Sequence, residues 1–524
     1  MRRFVCGTLL LAALVALPLW PAEVRGQPRD VVRLAWWTDV GFPTPFAFST
    51  LGPGGVVRLT LLYDTLVWKD ARGLIPWLAE SWQMAPDGRS YRFRLRDGVR
   101  WHDGRPLTAR DVKFTFDYYR QHPFRWMDTS VVQAVDVRDR RTVVVRLRHP
   151  FAPFLENVAG IVPIVPAHLW QGVERPEEAQ ELRMAVGSGP FRLVEYQPAA
   201  GLYRFAAVAD YWGGRPRVRE VQYLLVPTER QVLAVQAGQV DVVMATTYDV
   251  VERFRGHPYL RVLETEPLSV ARLIFHLDRM PTAAPAFRRA VAHALDRRRI
   301  AETITRGPAP VGNPGVVPPG DPWMNPNVPQ YPYDPVRARV LLAELGYTDR
   351  DGDGRMEDAG GAPLAVELVT SPVRDAELVR QMLGEVGIEV RARTVDPATR
   401  AQLGAEGRFQ LLFTTHIGSG GDPDYLRTWF TGEEANLFAA GSRMRSPEYL
   451  RLARRQLEAI DPTERRTVIW RMQAMLAEAL PTLPLYYRRF FWIYDSRLLT
   501  PFVTRGGLLN GIPLLENKLI FLSR

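Results

Sequence analysis

A chain of 524 residues exceeds what one hydrophobic core usually organises, so two or three lobes of roughly 100–200 residues each are expected. With 46% hydrophobic, 24% charged and 10% aromatic residues, the composition is that of a globular protein and excludes a mainly disordered or fibrous chain. The formal charge of +10 is almost entirely arginine, Lys69, Lys113 and Lys518 being the only lysines; these arginines are scattered rather than gathered on one face, which argues against a nucleic-acid partner.

Arg2 and Arg3 precede fourteen uncharged, mostly apolar residues, 4–17, followed by Pro18 and a small-residue cleavage site at Val24-Arg25-Gly26. Residues 1–26 therefore read as a secretory signal. As a helix, 4–17 would cover about 21 Å, short of the roughly 30 Å hydrocarbon core of a bilayer. Arg2-Arg3 matches the twin-Arg export motif only weakly. The single cysteine, Cys6, lies ahead of the cleavage site, so the exported chain is expected to hold no disulfide and not to be a lipoprotein.

A strand is predicted over 30–36, then a Pro/Gly-rich loop over 38–55, then helix and strand within 59–68. Residues 91–96 and 143–148 alternate with period two, as half-buried antiparallel strands do. Between them Thr108 and Asp111 form a capping box, starting a helix that buries Val112, Phe116 and Tyr119. A second mixed region opens near Gly187; Thr228 with Gln231 predicts a capped helix carrying Val232, Leu233 and Val235, ended by Gly238 and followed by a strand over 240–244. Ten prolines within 307–335 exclude regular structure there. Asp334-Pro335 then starts a helix through 345, Gly346 closing it. Helices follow over 375–386, 446–460 and 462–479, with strands over 388–395, 409–415 and 483–487. No fixed-period repeat is present, which excludes solenoids and propellers.

The acidic run 349–357 places Asp349, Asp351, Asp353 and Glu357 at positions 1, 3, 5 and 9 of a calcium-loop pattern. Gly354 stands at the sharp turn and Arg355 where such loops use a main-chain carbonyl; position 12, Gly360, lacks the EF-hand glutamate. A structural Ca²⁺ is expected there, against the alternative of a solvated acidic turn. Catalytic motifs are sparse: there is no H-E-x-x-H pair, no G-x-S-x-G elbow around Ser188, Ser419 or Ser442, and no P-loop.

Several stretches carry a family resemblance: Pro76 to Trp82, Pro86-Asp87-Gly88, Arg96 to Gly104, Leu107 to Val112, Gly187 to Phe191, Arg288 to Arg297, and Pro318-Pro319-Gly320. Together they resemble the extracellular solute-binding proteins of dipeptide/oligopeptide-type ABC transporters. The resemblance implies an α/β, two-lobed periplasmic-binding-protein fold in its three-domain variant. Domain I would collect 27–70, 187–277 and 491–524, domain II 71–186 and domain III 278–490, with hinge strands near Phe275 and Phe491. It further implies a monomer, periplasmic or extracellular, that is not an enzyme. Such a protein encloses a peptide or peptide-like solute between its lobes and delivers it to the ABC permease. An oligosaccharide is the alternative ligand; a receptor-feeding sensor subunit or a secreted glycoside hydrolase would be the readings from other classes.

For the site, the resemblance points to the loop His416 to Tyr425. The family's amine-binding Asp falls on Ser419, whose hydroxyl cannot replace a charge-assisted bond. Asp422 or Asp424 would serve only if the loop were shifted; otherwise they cap the following turn. Trp37, Thr38 and Asp39 end the first strand, where open α/β sheets present ligand-facing loops, one of Trp36 and Trp37 being core. His276 stands where the family often has Asn beside the hinge; it and His416 complete the candidate set.

Overall fold

The computed structural model describes residues 30–50, 52–432, 441–509 and 511–523; the predicted signal, with Cys6, lies outside them. The chain folds into two lobes, each built on its own main sheet. The first sheet has seven strands, ordered Leu260–Glu264, Phe491–Asp495, Val242–Ala245, Val31–Trp36, Glu220–Leu225, Leu202–Ala207 and Phe191–Gln197. Val31–Trp36 pairs in parallel with both neighbours and the remaining pairings are antiparallel. The alternating segments predicted early in the chain form part of a four-stranded antiparallel sheet, ordered Ala79–Met84, Ser90–Leu95, Thr142–Leu147 and Val132–Val137. These two sheets share one continuous core, running from Val32 through Phe116 and Val165 to Phe521, so they make one lobe.

The second lobe is a five-stranded sheet ordered Glu389–Thr394, Ala365–Thr370, Leu411–Ile417, Ser269–Phe275 and Thr482–Arg488. One face packs on Phe287, Ala290, Val291, Leu342, Val379 and Leu383; the other supports a cluster of Val316, Leu426, Trp429, Tyr449, Ile469 and Met472. The strand Ser269–Phe275 lies inside this sheet, paired on both sides. That corrects the boundary expected at 277 and the hinge expected near Phe275. The chain leaves the first sheet at Glu264 and enters the second at Ser269, and it returns between Arg488 and Phe491.

Local signals account for most element starts. Thr108 and Asp111 complete their capping box at Ala109–Tyr119. Asp334, Ser446 and Asp461 each cap a helix that has proline in its first turn. The expected cap at Thr228 is not made: the helix Thr228–Gln236 follows Pro227, and Gln231 donates instead to the Val226 carbonyl. Of the apolar residues this helix carries, Val235 is buried and Leu233 is 65% exposed.

Candidate functional site

The loop after Leu411–Ile417 sits where both crossings between the lobes meet. Main-chain N–H groups of Gly418 and Ser419 donate to the Leu268 carbonyl at 3.0 and 3.1 Å, fixing the loop to the first crossing. Its glycines allow a main-chain approach no side chain would permit. A Cβ on Gly421, whose φ is +72°, would stand 2.7 Å from the Gly506 carbonyl oxygen, and one on Gly511 2.0 Å from that of Gly420. Gly506 N–H also donates to Glu266 Oε2 at 2.7 Å. The seam is thus backbone laid on backbone, rimmed by Glu266.

Beside it stand polar groups that the protein leaves unmatched. Ser419 is fully buried with no hydrogen-bond partner for Oγ, and the Tyr425 hydroxyl is likewise buried and unpartnered. Asp321, from the proline-rich connection, is half-buried; Oδ1 accepts from Trp323 N–H at 2.8 Å. Burial raises the Asp321 carboxyl to about 6; the Trp323 hydrogen bond and Arg505 oppose the shift, while Glu266 and Asp422 reinforce it. Deeper in the same wall, the Arg272 guanidinium lies 4.2 Å from the Trp429 ring centroid, and His416 meets that ring edge-on, also at 4.2 Å. Burial, aided by the Arg272 charge, lowers the His416 imidazole to about 3, so it is neutral at physiological pH.

The predicted residues divide. Ser419 and His416 are at the seam. Asp422 and Asp424 are adjacent but committed elsewhere: Asp422 takes a bidentate pair from Arg465 at 2.7 and 2.8 Å and an N–H from Asp424. Asp424 takes a bidentate pair from Arg427, both bonds at 2.8 Å, and a further bond from Gln456 at 2.6 Å. As ligand groups they are corrected to anchors of the turn into Tyr425–Phe430. His276 is also structural, packing edge-on against Phe409 while Nδ1 accepts from Asp278 N–H. Trp36 is core and Trp37 is 36% exposed, stacked on it at 4.2 Å. Thr38 bonds only to the neighbouring Asp39 carbonyl, and Asp39 is saturated by Tyr203, Tyr196 and Gly41 N–H at 2.6, 3.0 and 3.1 Å. Asp39 therefore braces its own loop.

In the acidic run, carboxylate oxygens of Asp349, Asp351 and Asp353 converge to within 4.8 Å, exposed at the surface. Asp349 accepts from Gly352 and Gly354 N–H, and the turn is closed by Glu357 accepting from Arg350 N–H at 3.0 Å. Hard oxygen donors in such an array fit calcium rather than a softer metal. The Arg355 side chain lies 3.7 Å from Asp353, a contact that a bound cation would compete with.

Sequence reasoning missed Asp321 and Arg272. Asp321 directly follows Pro318-Pro319-Gly320 in an irregular, proline-rich stretch whose pattern gives no sign of which side chains turn inward. Arg272 did leave a signal: it is a lone charge in an otherwise apolar strand, Ser269–Phe275, of which every residue is buried.

Comparison with known proteins is consistent with this architecture. Residues 73–437 match the model for bacterial extracellular solute-binding proteins, family 5. The chain is 26% identical over 382 residues to the dipeptide-binding protein of Escherichia coli (strain K12), covering 68% of this chain and 70% of that one. It is 26% identical over 448 residues to heme-binding protein A of Haemophilus influenzae, with 81% of each covered. Among solved structures, NikA from Brucella suis in complex with Fe(III)-EDTA superposes with a TM-score of 0.81 at 24% identity, covering 93% of this chain and 99% of that one. These relatives are solute-binding proteins, not enzymes. The chain belongs to the bacterial extracellular solute-binding proteins, family 5, the substrate-binding proteins of ABC importers.

Proposed function

We propose that this chain captures a peptide or peptide-like solute at the seam between its lobes and delivers it to an ABC permease. The observation that carries the reading is Asp321: a half-buried carboxylate beside the loop whose family acid is replaced by Ser419. A peptide's α-ammonium would hold Asp321 ionised and form the charge-assisted bond that Ser419 cannot. The unpartnered Ser419 Oγ and Tyr425 OH suit main-chain groups of the same ligand, since closure removes water from every polar group it covers. Driving a 1:99 open-to-closed equilibrium to 99:1 requires about 5.5 kcal/mol of preference for the closed form. One relative is a dipeptide-binding protein, which supports a peptide; another binds heme, so family membership alone does not select the solute.

Titration calorimetry with short peptides and their N-acetylated forms tests this. Free-amine peptides are expected to bind at least tenfold tighter than acetylated ones, and Asp321→Asn to erase the difference. Affinity should fall as pH drops through about 6, where Asp321 gains its proton before ligand arrives. Binding of oligosaccharides with no peptide response would replace the reading by the sugar-carrier alternative, and native mass spectrometry of co-purified solute would decide the same point by mass.

The proposal includes export through residues 1–26 and action outside the cytoplasm. Among the described residues no helix is long and apolar enough to cross a membrane. We also propose that Asp349, Asp351, Asp353 and Glu357, with the Arg355 carbonyl, hold a calcium ion that pins this surface loop. Millimolar calcium is expected to raise the Tm by a few degrees and Asp351→Ala to abolish that rise; no shift and no calorimetric binding would remove the ion.

A further inference from the structure

Most buried guanidinium groups elsewhere in this chain are met by oxygen; even Arg58, fully buried among the rings of Trp36, Tyr203 and Tyr223 with Nε and Nη2 unpartnered, donates to the Gly54 carbonyl at 3.3 Å. Arg465 is bound by Asp422 and Gln456, Arg427 by Asp424, Arg297 by the carbonyls of Gly312 and Tyr331, and Arg288 by those of Ala479, Thr282 and Ala283. Arg272 differs. It is 2% exposed, its Nε has no hydrogen-bond partner, and no carboxylate pairs with it among the described residues. Its close neighbours are the Trp429 face and the neutral His416. Burial lowers its pKa to about 9, partly opposed by Tyr487, which still leaves it charged at neutral pH. A buried cation held only by a ring face is incompletely compensated, and the missing group is an anion.

We propose that Arg272 receives a carboxylate of the transported solute, over the face of Trp429. The planar guanidinium offers paired donors matched to the two carboxylate oxygens, a geometry that an ammonium or a hydroxyl does not supply. The assignment rests on the proposed capture of a peptide-like solute and narrows it. Asp321 and Arg272 both act electrostatically on Tyr487, so the wall carries a negative and a positive group around one tyrosine. A solute with an ammonium at one end and a carboxylate at the other complements both.

The test titrates the full chain, as wild type, Arg272→Lys and Arg272→Met, with four probes: di- to pentapeptides, their C-terminal amides, simple dicarboxylates and neutral oligosaccharides. In the wild type, free acids are expected to bind at least tenfold tighter than amides. Arg272→Met should abolish that preference while melting a few degrees higher than the ligand-free wild type, because an unpaired buried charge is gone. Arg272→Lys should retain part of the preference. Equal binding of acids and amides, or an Arg272→Met protein that melts lower with unchanged affinity, makes the residue structural and overturns the assignment while leaving the peptide reading intact. Dicarboxylate binding that is lost in Arg272→Met, with no peptide bound, would uphold Arg272 and overturn the peptide reading. A panel in which only oligosaccharides bind, or nothing binds, overturns the assignment.

Discussion

Asp64→Ala is expected to lower the Tm of the first lobe by about 10–20 °C, or to prevent folding at 37 °C. This carboxylate is fully buried and accepts from five donors: Trp77 Nε1, Tyr211 OH and Lys518 Nζ on Oδ1 at 2.7, 2.8 and 2.6 Å, and Ser188 Oγ and Trp212 Nε1 on Oδ2, both at 3.1 Å. Lys518 is itself fully buried, and burial lowers its pKa while Asp64 opposes that shift. Removing one partner of a buried pair costs about 3–5 kcal/mol, and each buried donor left without an acceptor adds about 1–3 kcal/mol. Against a total stability of about 5–15 kcal/mol this is decisive, and about 2–4 °C is lost per kcal/mol in a domain of 150–250 residues. Removing both charges together, as Asp64→Asn with Lys518→Met, should cost less than Asp64→Ala alone. Calorimetric melting of the variants checks both statements; a Tm within 3 °C of wild type for Asp64→Ala would contradict the account.

Glu516→Gln should stabilise the protein at pH 8 by about 3 kcal/mol and flatten its stability between pH 4.5 and 7. Glu516 is fully buried and neither side-chain oxygen has a hydrogen-bond partner. Burial raises its carboxyl from 4.5 to about 7, with Arg58 pulling the other way. The folded state thus binds the proton more tightly than the unfolded chain does. Its contribution is complete below the unfolded pKa of 4.5, falls as pH rises, and is lost above about 7. Denaturant midpoints measured across pH 4–8 in wild type and Glu516→Gln would show that slope in the first and its loss in the second. Parallel curves would refute it.

These two residues mark where sequence reading stopped. Elements announced locally were legible: the capping box at Thr108, the Asp-Pro start at Asp334, the helix Pro462–Ala479 with Asp461 as its cap, and the alternating strands Ser90–Leu95 and Thr142–Leu147. The core position of Asp64 was not, because its five partners are supplied by segments up to 454 residues away. Glu516-Asn517-Lys518 carries no local sign of burial, yet all three residues are fully buried, Asn517 accepting from Trp68 and donating to the Lys69 carbonyl. The family stretches around Trp77 and Ser188 now have a physical reason, as both donate to Asp64. The loop 416–425 has a legible pattern, but the engagement of both its acids does not: Arg427 lies one turn on, while Arg465 and Gln456 come from two helices later in the chain. The first crossing lies a few residues before the expected Phe275, because a strand's own residues give no sign of which sheet it joins.

The bare meeting of Gly420 and Gly421 with Gly506 and Gly511 bears on how the protein moves. With no side chains interlocked, parting the lobes there requires no rotamer to be released, and re-closing requires none to be found again. Away from this point the lobes are tied by other groups, among them the ion pair of Arg306 with Asp249 and the bond from Tyr248 N–H to the Thr305 carbonyl. A single methyl on Gly511 would act as a doorstop, since the carbonyl of Gly420 occupies the space it needs.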